Sequence, residues 1–236
     1  MSVPLLSWEV DGPYDVVFST RVGGVSEGPF ESLNLGRRTG DEVERVDENR
    51  RRLCVEVDAD EQALTLGFQT HSTVVNRAEA GSRGVPGDAI WTNEPRIPML
   101  ALGADCVLMA LARTNGAEPA LAVVHAGWRG LIDGVVETTA EVIGPGFSAV
   151  VGPSIGPCCY EVGEEVASRF RDRFGDGILS EGKLDLWTAA ERAARDAGAT
   201  DVERVDLCTR CRSDLFFSER RTGRPRGTHG VLGVVR

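Results

Sequence analysis

The stretch Ala120-Leu-Ala-Val-Val-His-Ala-Gly-Trp-Arg-Gly130 sets the fold class. Ala120 to Val124 are apolar and His125 follows, so the run reads as a buried strand whose end delivers an imidazole. Ala126-Gly127 lets the backbone turn tightly and approach a ligand closely. From Arg129 to Ile143 the pattern becomes helical, with Leu131, Ile132, Val135, Val136, Val142 and Ile143 near one face. A strand-to-helix junction of this kind is where open α/β sheets place ligands. Two other stretches follow the same plan. Ala63–His71 is an apolar run ending in Gln, Thr and His, and Met99–Cys106 is one ending in Asp and Cys. Three strand ends are thus expected to carry His71, Cys106 and His125.

Asp15–Ser19 reads as a strand and leads into a loop rich in Gly, Ser and Asn that holds Arg21 and Asn34 within reach of a ligand. Asp41 and Glu44 have the spacing of a helix cap with a reciprocal carboxylate, before a helix running to about Val55. Strands are expected at Leu64–Phe68, Thr73–Asn76, on both sides of Gly103–Cys106, at Phe147–Gly152, Val202–Leu207 and Val231–Val235. Arg77–Asp88 reads as a Gly-rich connection and Asp88–Trp91 as a short apolar patch. Helices are expected from Val162 to Phe174, on apolar spacing, and at Leu186–Ala197, stopped by Gly198. Arg220–Gly230 reads as a basic loop. No internal repeat or low-complexity linker divides the chain, so one α/β domain over residues 1–236 is the simplest account.

A hydrophobic content of 42% supports a sizeable core, and no apolar run approaches the roughly 20 residues of a membrane span. The stretch from Met1 lacks the basic and apolar regions of a signal peptide, so a cytoplasmic location is expected. A net charge of −10 argues against a general nucleic-acid binder. The six cysteines, Cys54, Cys106, Cys158, Cys159, Cys208 and Cys211, are expected as free thiols. Cys208-x-x-Cys211 and Cys158-Cys159 are assigned packing or loop roles rather than a four-thiolate site, since one CxxC is weak evidence of metal.

His71, Cys106 and His125 form a mixed nitrogen and sulfur donor set. It suits Zn²⁺ and leaves a fourth position open. The same residues also suit nucleophilic catalysis, with Cys106 as a thiolate beside His125 and Asp105 or His71 orienting the base. Arg21 and Arg129 are candidates to bind phosphate bidentately, and Trp128 is a surface on which a base can stack.

Further motifs occur in order: Phe18-Ser-Thr-Arg-Val-Gly-Gly-Val-Ser26, Ser32-Leu-Asn-Leu-Gly36, Gly40-Asp41 with Asn49-Arg50, Gln69-Thr-His71, Ala104-Asp-Cys106, His125-Ala-Gly-Trp-Arg-Gly130, Gly152-Pro-Ser-Ile-Gly-Pro-Cys-Cys-Tyr-Glu161 and Cys208-Thr209. Together they resemble the laccase-domain family, also called the polyphenol oxidase or purine nucleoside phosphorylase family, which includes the bacterial peptidoglycan editing factor. The resemblance implies a single-domain layered α/β sandwich with a mixed sheet core, and metal held by His71, Cys106 and His125. It also implies phosphorolysis of adenosine, inosine and methylthioadenosine, with adenosine deamination alongside. Small-molecule nucleoside and phosphate are then the partners, with no nucleic acid and no membrane. An editing role would add a cell-wall precursor or a ligase partner. Zinc is favoured over copper because a multi-copper oxidase draws on many imidazoles and this chain has three histidines. The alternatives are a Cys–His amide hydrolase acting on peptidoglycan precursors, a non-catalytic partner of a cell-wall ligase, and a copper polyphenol oxidase.

Overall fold

A computed structural model describes residues 3–236, so Met1 and Ser2, within the expected 1–236 domain, lie outside the described residues. In chain order the elements are β1 (Leu5–Trp8), β2 (Tyr14–Ser19), α1 (Val43–Glu56), β3 (Thr65–Phe68), β4 (Val75–Arg77), β5 (Arg83–Pro86), β6 (Ala89–Thr92), β7 (Met99–Gly103), β8 (Val107–Arg113), β9 (Leu121–Ala126), α2 (Trp128–Asp133), α3 (Val135–Ile143), β10 (Phe147–Val151), α4 (Glu164–Phe174), the hairpin β11 (Leu179–Ser180) and β12 (Lys183–Leu184), α5 (Leu186–Asp196), β13 (Asp201–Arg204), α6 (Glu219–Thr222) and β14 (His229–Val235).

The strands build two mixed six-stranded sheets, in the orders β1-β2-β14-β7-β3-β5 and β13-β10-β8-β9-β6-β4. The expected layered α/β sandwich with a mixed sheet core is therefore present, built from two sheets stacked face to face. The alternation of β9 shows why its sequence is apolar throughout. Leu121 and Val123 enter the core between the sheets, whereas Ala122, Val124 and Ala126 pack under the helices. β8 divides in the same way, with Leu108, Ala110 and Ala112 between the sheets and Val107, Met109 and Leu111 on the helical side. On the far face of the other sheet, Leu53, Cys54 and Val57, with Leu33 and Leu35 of the preceding loop, cover Leu66, Leu100, Leu232 and Val234.

Some local expectations change. The helix expected from Arg129 to Ile143 is two helices, broken at Gly134, whose φ of +98° belongs to the left-handed region that glycine tolerates. The cap expected at Asp41 does not form. Glu42 is the cap residue, and Asp41 instead accepts from Ser26 Oγ and Asn34 Nδ2 through Oδ2. The basic tail contains the short α6, and the Gly-rich connection contains β5. The last strand, β14, lies inside its sheet between β2 and β7. The turn Gly103–Cys106 carries the chain from the first sheet, through β7, into the second, through β8. This crossing point at the end of the sandwich is where the candidate site lies.

Candidate metal centre and cavity

His71, Cys106 and His125 do come together. Their donor atoms all lie within 4.8 Å of one another, and the His71 and His125 rings meet edge to face at 4.9 Å between centroids. Only His125 sits within a strand. His71 lies in the loop after β3, and Cys106 immediately precedes β8. Cys106 Sγ lies 3.9 Å from His71 Nε2. For comparison, a sulfur and a nitrogen on one tetrahedral zinc stand about 3.6 Å apart. A Cβ on Gly127 would fall 2.6 Å from His71 Cδ2 and 3.3 Å from Cys106 Sγ, so only glycine leaves room for this cluster.

The residue that organises the cluster is Asp88, which the sequence reading placed in a short apolar patch. Its buried carboxylate accepts the Nδ1–H of His125 at 2.8 Å and the backbone N–H of His71 at 3.0 Å through Oδ1. Oδ2 accepts from the backbone N–H of Ser72 at 2.7 Å and of Thr70 at 3.0 Å, and from Ser72 Oγ at 2.8 Å. Burial alone would raise this carboxyl group's pKa, but the His125 and Ser72 hydrogen bonds prevail and hold it well below the usual carboxylate range. An ionised carboxylate only accepts, so Nδ1 of His125 carries the proton and Nε2 is left for the cluster. One acid thus fixes the ring of His125 and the backbone of His71. Gln69 braces the same loop, pairing with the backbone of Leu102 at 2.8 and 2.7 Å.

Asp105, the expected orienting acid, does not serve His125. It adopts φ +94°, a strained conformation for a residue with a Cβ. Three anchors hold it: Thr209 Oγ1 donates to Oδ1 at 2.6 Å, the Arg220 N–H to Oδ2 at 2.7 Å, and the Ile155 N–H to its carbonyl at 2.9 Å. Asp105 therefore ties three distant segments to the turn that presents Cys106.

Electrostatics couple the thiol to the imidazole. Burial opposes the charge on each, but each stabilises the charged form of the other. Cys106 is drawn down to about 6, chiefly by His125, and His125 is pushed up to about 9 by Cys106 and Asp88. A thiolate is therefore available near neutral pH, as a ligand or as a nucleophile.

The three residues open into a cavity of about 690 Å³. Arginines 37, 38, 50, 83, 220, 224 and 226 line it, together with Phe68, Trp128 and Tyr160. Most of the guanidiniums are committed. Arg37 pairs with Asp47, Arg83 with Glu61 and Arg226 with Glu219, while Arg50 donates to the Leu35 carbonyl. Arg38 stacks on Phe68 at 3.9 Å, and Arg220 stacks on Tyr160 at 4.7 Å while its Nη1 donates to the Glu161 carbonyl at 2.8 Å; neither forms an ion pair among the described residues.

The expected substrate residues lie outside this lining. Arg21 donates to the carbonyls of Glu31 and Ser213 and lies over Phe217. Asn34 is buried and accepts the backbone N–H groups of Gly36 and Thr228, both cavity residues, so it acts behind the wall. Arg129 stacks at 4.2 Å on Trp128, whose ring lines the cavity. Arg38 carried no sequence signal beyond its charge, because an unpaired guanidinium is recognised only by its neighbours. The third histidine, His229, is on β14, buried against Phe216 and away from the cluster.

The model of the multi-copper polyphenol oxidoreductase laccase family matches residues 15–235. The chain belongs to that family. Among curated relatives, a purine nucleoside phosphorylase of Haemophilus influenzae is 33% identical over 92% of this chain and 94% of its own. The purine nucleoside phosphorylase YfiH of Escherichia coli is 33% identical over 87% and 89%. Among solved structures, Neisseria meningitidis protein NMB0706 superposes with a TM-score of 0.86 at 31% identity, covering 98% of both chains. YlmD of Geobacillus stearothermophilus gives 0.86 at 29% identity, covering 95% and 92%. A multi-copper centre draws on many imidazoles, whereas this cluster holds two imidazoles and one thiolate, enough for a single ion. No helix among the described residues is long and apolar enough to cross a membrane.

Proposed function

We propose that this chain is a zinc-dependent purine nucleoside phosphorylase of the cytoplasm that also deaminates adenosine. The observation that carries the reading is the His71–Cys106–His125 cluster opening into a cavity with aromatic walls and two arginines, Arg38 and Arg220, that form no ion pair among the described residues. The relatives named purine nucleoside phosphorylase support it. His71, Cys106 and His125 would hold Zn²⁺, two nitrogens and a soft sulfur being a donor set that zinc accepts. Held there, zinc supplies Lewis acidity. Asp88 keeps His125 in the tautomer that leaves Nε2 free, the usual support for a ligating histidine. Phe68, Tyr160 and Trp128 offer faces to a purine, and Arg38 and Arg220 offer planar donors to phosphate. Phosphorolysis joins a phosphate oxygen to the ribose C1′ and releases the purine, so the residues that matter most are those that place the anion beside the sugar.

A second reading follows from the line Cys106–His125–Asp88, which has the order of nucleophile, base and orienting acid in a Cys–His amide hydrolase. Metal dependence separates the two. Purified protein incubated with adenosine and phosphate should yield adenine and ribose 1-phosphate, and without phosphate it should yield inosine. A chelator should abolish both activities, and so should Cys106→Ser in a folded protein. Activity that survives complete zinc removal would overturn the phosphorylase reading and favour the hydrolase. Arg38→Ala and Arg220→Ala should each raise the phosphate KM about tenfold or more, equivalent to about 1.4 kcal/mol of lost binding, and leave deamination intact. Arg129→Lys tests the other arginine assignment, because the phosphate KM responds to it only if Arg129 also touches the anion.

A further inference from the structure

The remaining cysteines, apart from Cys54, form a second cluster that the reaction does not use. Cys158 and Cys159 sit in the turn after Gly156, and Cys208 and Cys211 in the turn after β13. Fold geometry brings the two turns together. Cys208 bridges to Ser154, and the Thr209 N–H donates to the Ser154 carbonyl at 3.0 Å. A Cβ on Gly156 would lie 2.6 Å from Trp187 and 3.2 Å from Cys208 Cβ, so glycine is required for this approach. The four sulfurs all lie within 4.8 Å of one another, with Cys159–Cys211 at 3.4 Å and Cys158–Cys211 at 3.7 Å. Four sulfurs about 2.3 Å from a tetrahedral zinc stand about 3.8 Å apart. An S–S bond of about 2.05 Å joins only two of them and gives no reason for the other two to gather.

We propose that Cys158, Cys159, Cys208 and Cys211 form a tetrathiolate site for one zinc ion, separate from the His71–Cys106–His125 cluster. Each thiol loses its proton as it takes the metal, so binding releases protons to solvent and is weakened by acid. Cys208 is prepared for this. Burial would raise its thiol, but the backbone N–H groups of Gly156, Cys211 and Arg210 prevail and lower it, and Gly156 N lies 3.2 Å from Sγ. Cys158 is pushed up by burial and by its thiol neighbours. Four thiolates this close repel one another unless a cation stands between them. Four protein sulfurs complete a tetrahedral shell and leave no open position, so this zinc is structural. What it clamps is the wall of the cavity. Tyr160 follows Cys159 directly, and Thr209 follows Cys208 and holds Asp105, the residue that presents Cys106.

Metal analysis of the full chain tests the site independently of activity. Protein purified under reducing conditions should lose one equivalent of zinc per chain on Cys158→Ser/Cys211→Ser, both exposed positions, with its circular dichroism retained. Zinc-free Cys106→Ser protein, which lacks the only thiolate of the other cluster, should develop intense thiolate-to-cobalt charge-transfer bands and tetrahedral d–d bands on titration with Co²⁺. Those bands should vanish when the two serine substitutions are added. The site is overturned if the Cys106→Ser protein shows no thiolate–cobalt band. It is also overturned if freshly purified protein carries a disulfide within this group, or if Cys158→Ser/Cys211→Ser keeps all its zinc. Zinc that is lost from Cys106→Ser but unchanged in Cys158→Ser/Cys211→Ser would overturn this site and leave the phosphorylase reading standing.

Discussion

Asp88 shows how much chemistry one side chain can fix. Its two oxygens meet the ring of His125, the backbone of three loop residues and a serine hydroxyl. Asp88→Asn keeps the shape but removes the charge and turns one acceptor into a donor. The expected outcome is a 10–100-fold loss of zinc affinity at the three-residue cluster, measured by competition with a chromophoric chelator, and a parallel loss of turnover. Unchanged affinity would reduce Asp88 to a loop anchor. His229 poses the opposite problem, a buried histidine whose ring nitrogens have no protein partner. Burial, reinforced by Arg226, lowers its pKa from 6.5 to about 3. The folded protein therefore binds no proton at His229 until about pH 3, while the unfolded chain binds one below about 6.5. Stability contributed by the neutral ring is complete above that upper value and is lost as pH falls through the window. The slope is about 1.4 kcal/mol per pH unit, or about 2 kcal/mol between pH 7 and pH 5. Urea unfolding of the wild type and of His229→Met at both pH values should show this difference shrinking in the variant.

At the scale of elements, β14 carries the most instructive packing. Val231 and Val235 enter the core between the sheets, and Leu232 and Val234 face α1. Gly233, between them, faces the opposite sheet. A Cβ there would fall 2.9 Å from Leu121 and 3.0 Å from Val123, so the sheets close onto a bare backbone at this point. Gly233→Val should cost about 1–3 kcal/mol through overpacking, read as a lower Tm of about 2–4 °C per kcal/mol. No change would mean that β9 repacks without strain. Most elements were legible because their cause is local. β8, β9, α4 and α5 announce themselves by apolar period and length. The elements missed, β1, β5, β11, β12 and α6, are short and partly exposed; the strands exist because a neighbour supplies the other half of their hydrogen bonds, and the single turn of α6 is capped by Ser218. Gly134 was visible in sequence, but not the conformation that turns one helix into two.

The whole molecule is strongly acidic, with a net charge of −10, yet the cavity beside the His71–Cys106–His125 cluster is lined by arginines. Near physiological ionic strength, charges beyond about 8 Å are largely screened, so on the proposed phosphorylase reading the nearby guanidiniums rather than the net charge would govern phosphate binding. Raising ionic strength from about 0.15 to about 0.6 M should then raise the phosphate KM several-fold and leave the nucleoside KM nearly unchanged. A fall in phosphate KM would mean that long-range repulsion dominates. The α/β class, the buried strands around His125 and the residue types of the His71–Cys106–His125 cluster were legible along the chain. Those follow from side-chain chemistry and from periods of two and 3.6 along a single segment. The fold alone stacks the two sheets, makes Asp88 rather than Asp105 the partner of His125, leaves Arg38 and Arg220 without an ion pair among the described residues while Arg37, Arg83 and Arg226 have one, and gathers four cysteines. Each of those depends on segments far apart in the chain, and a carboxylate, a guanidinium or a thiol takes its role from the groups that the fold sets beside it.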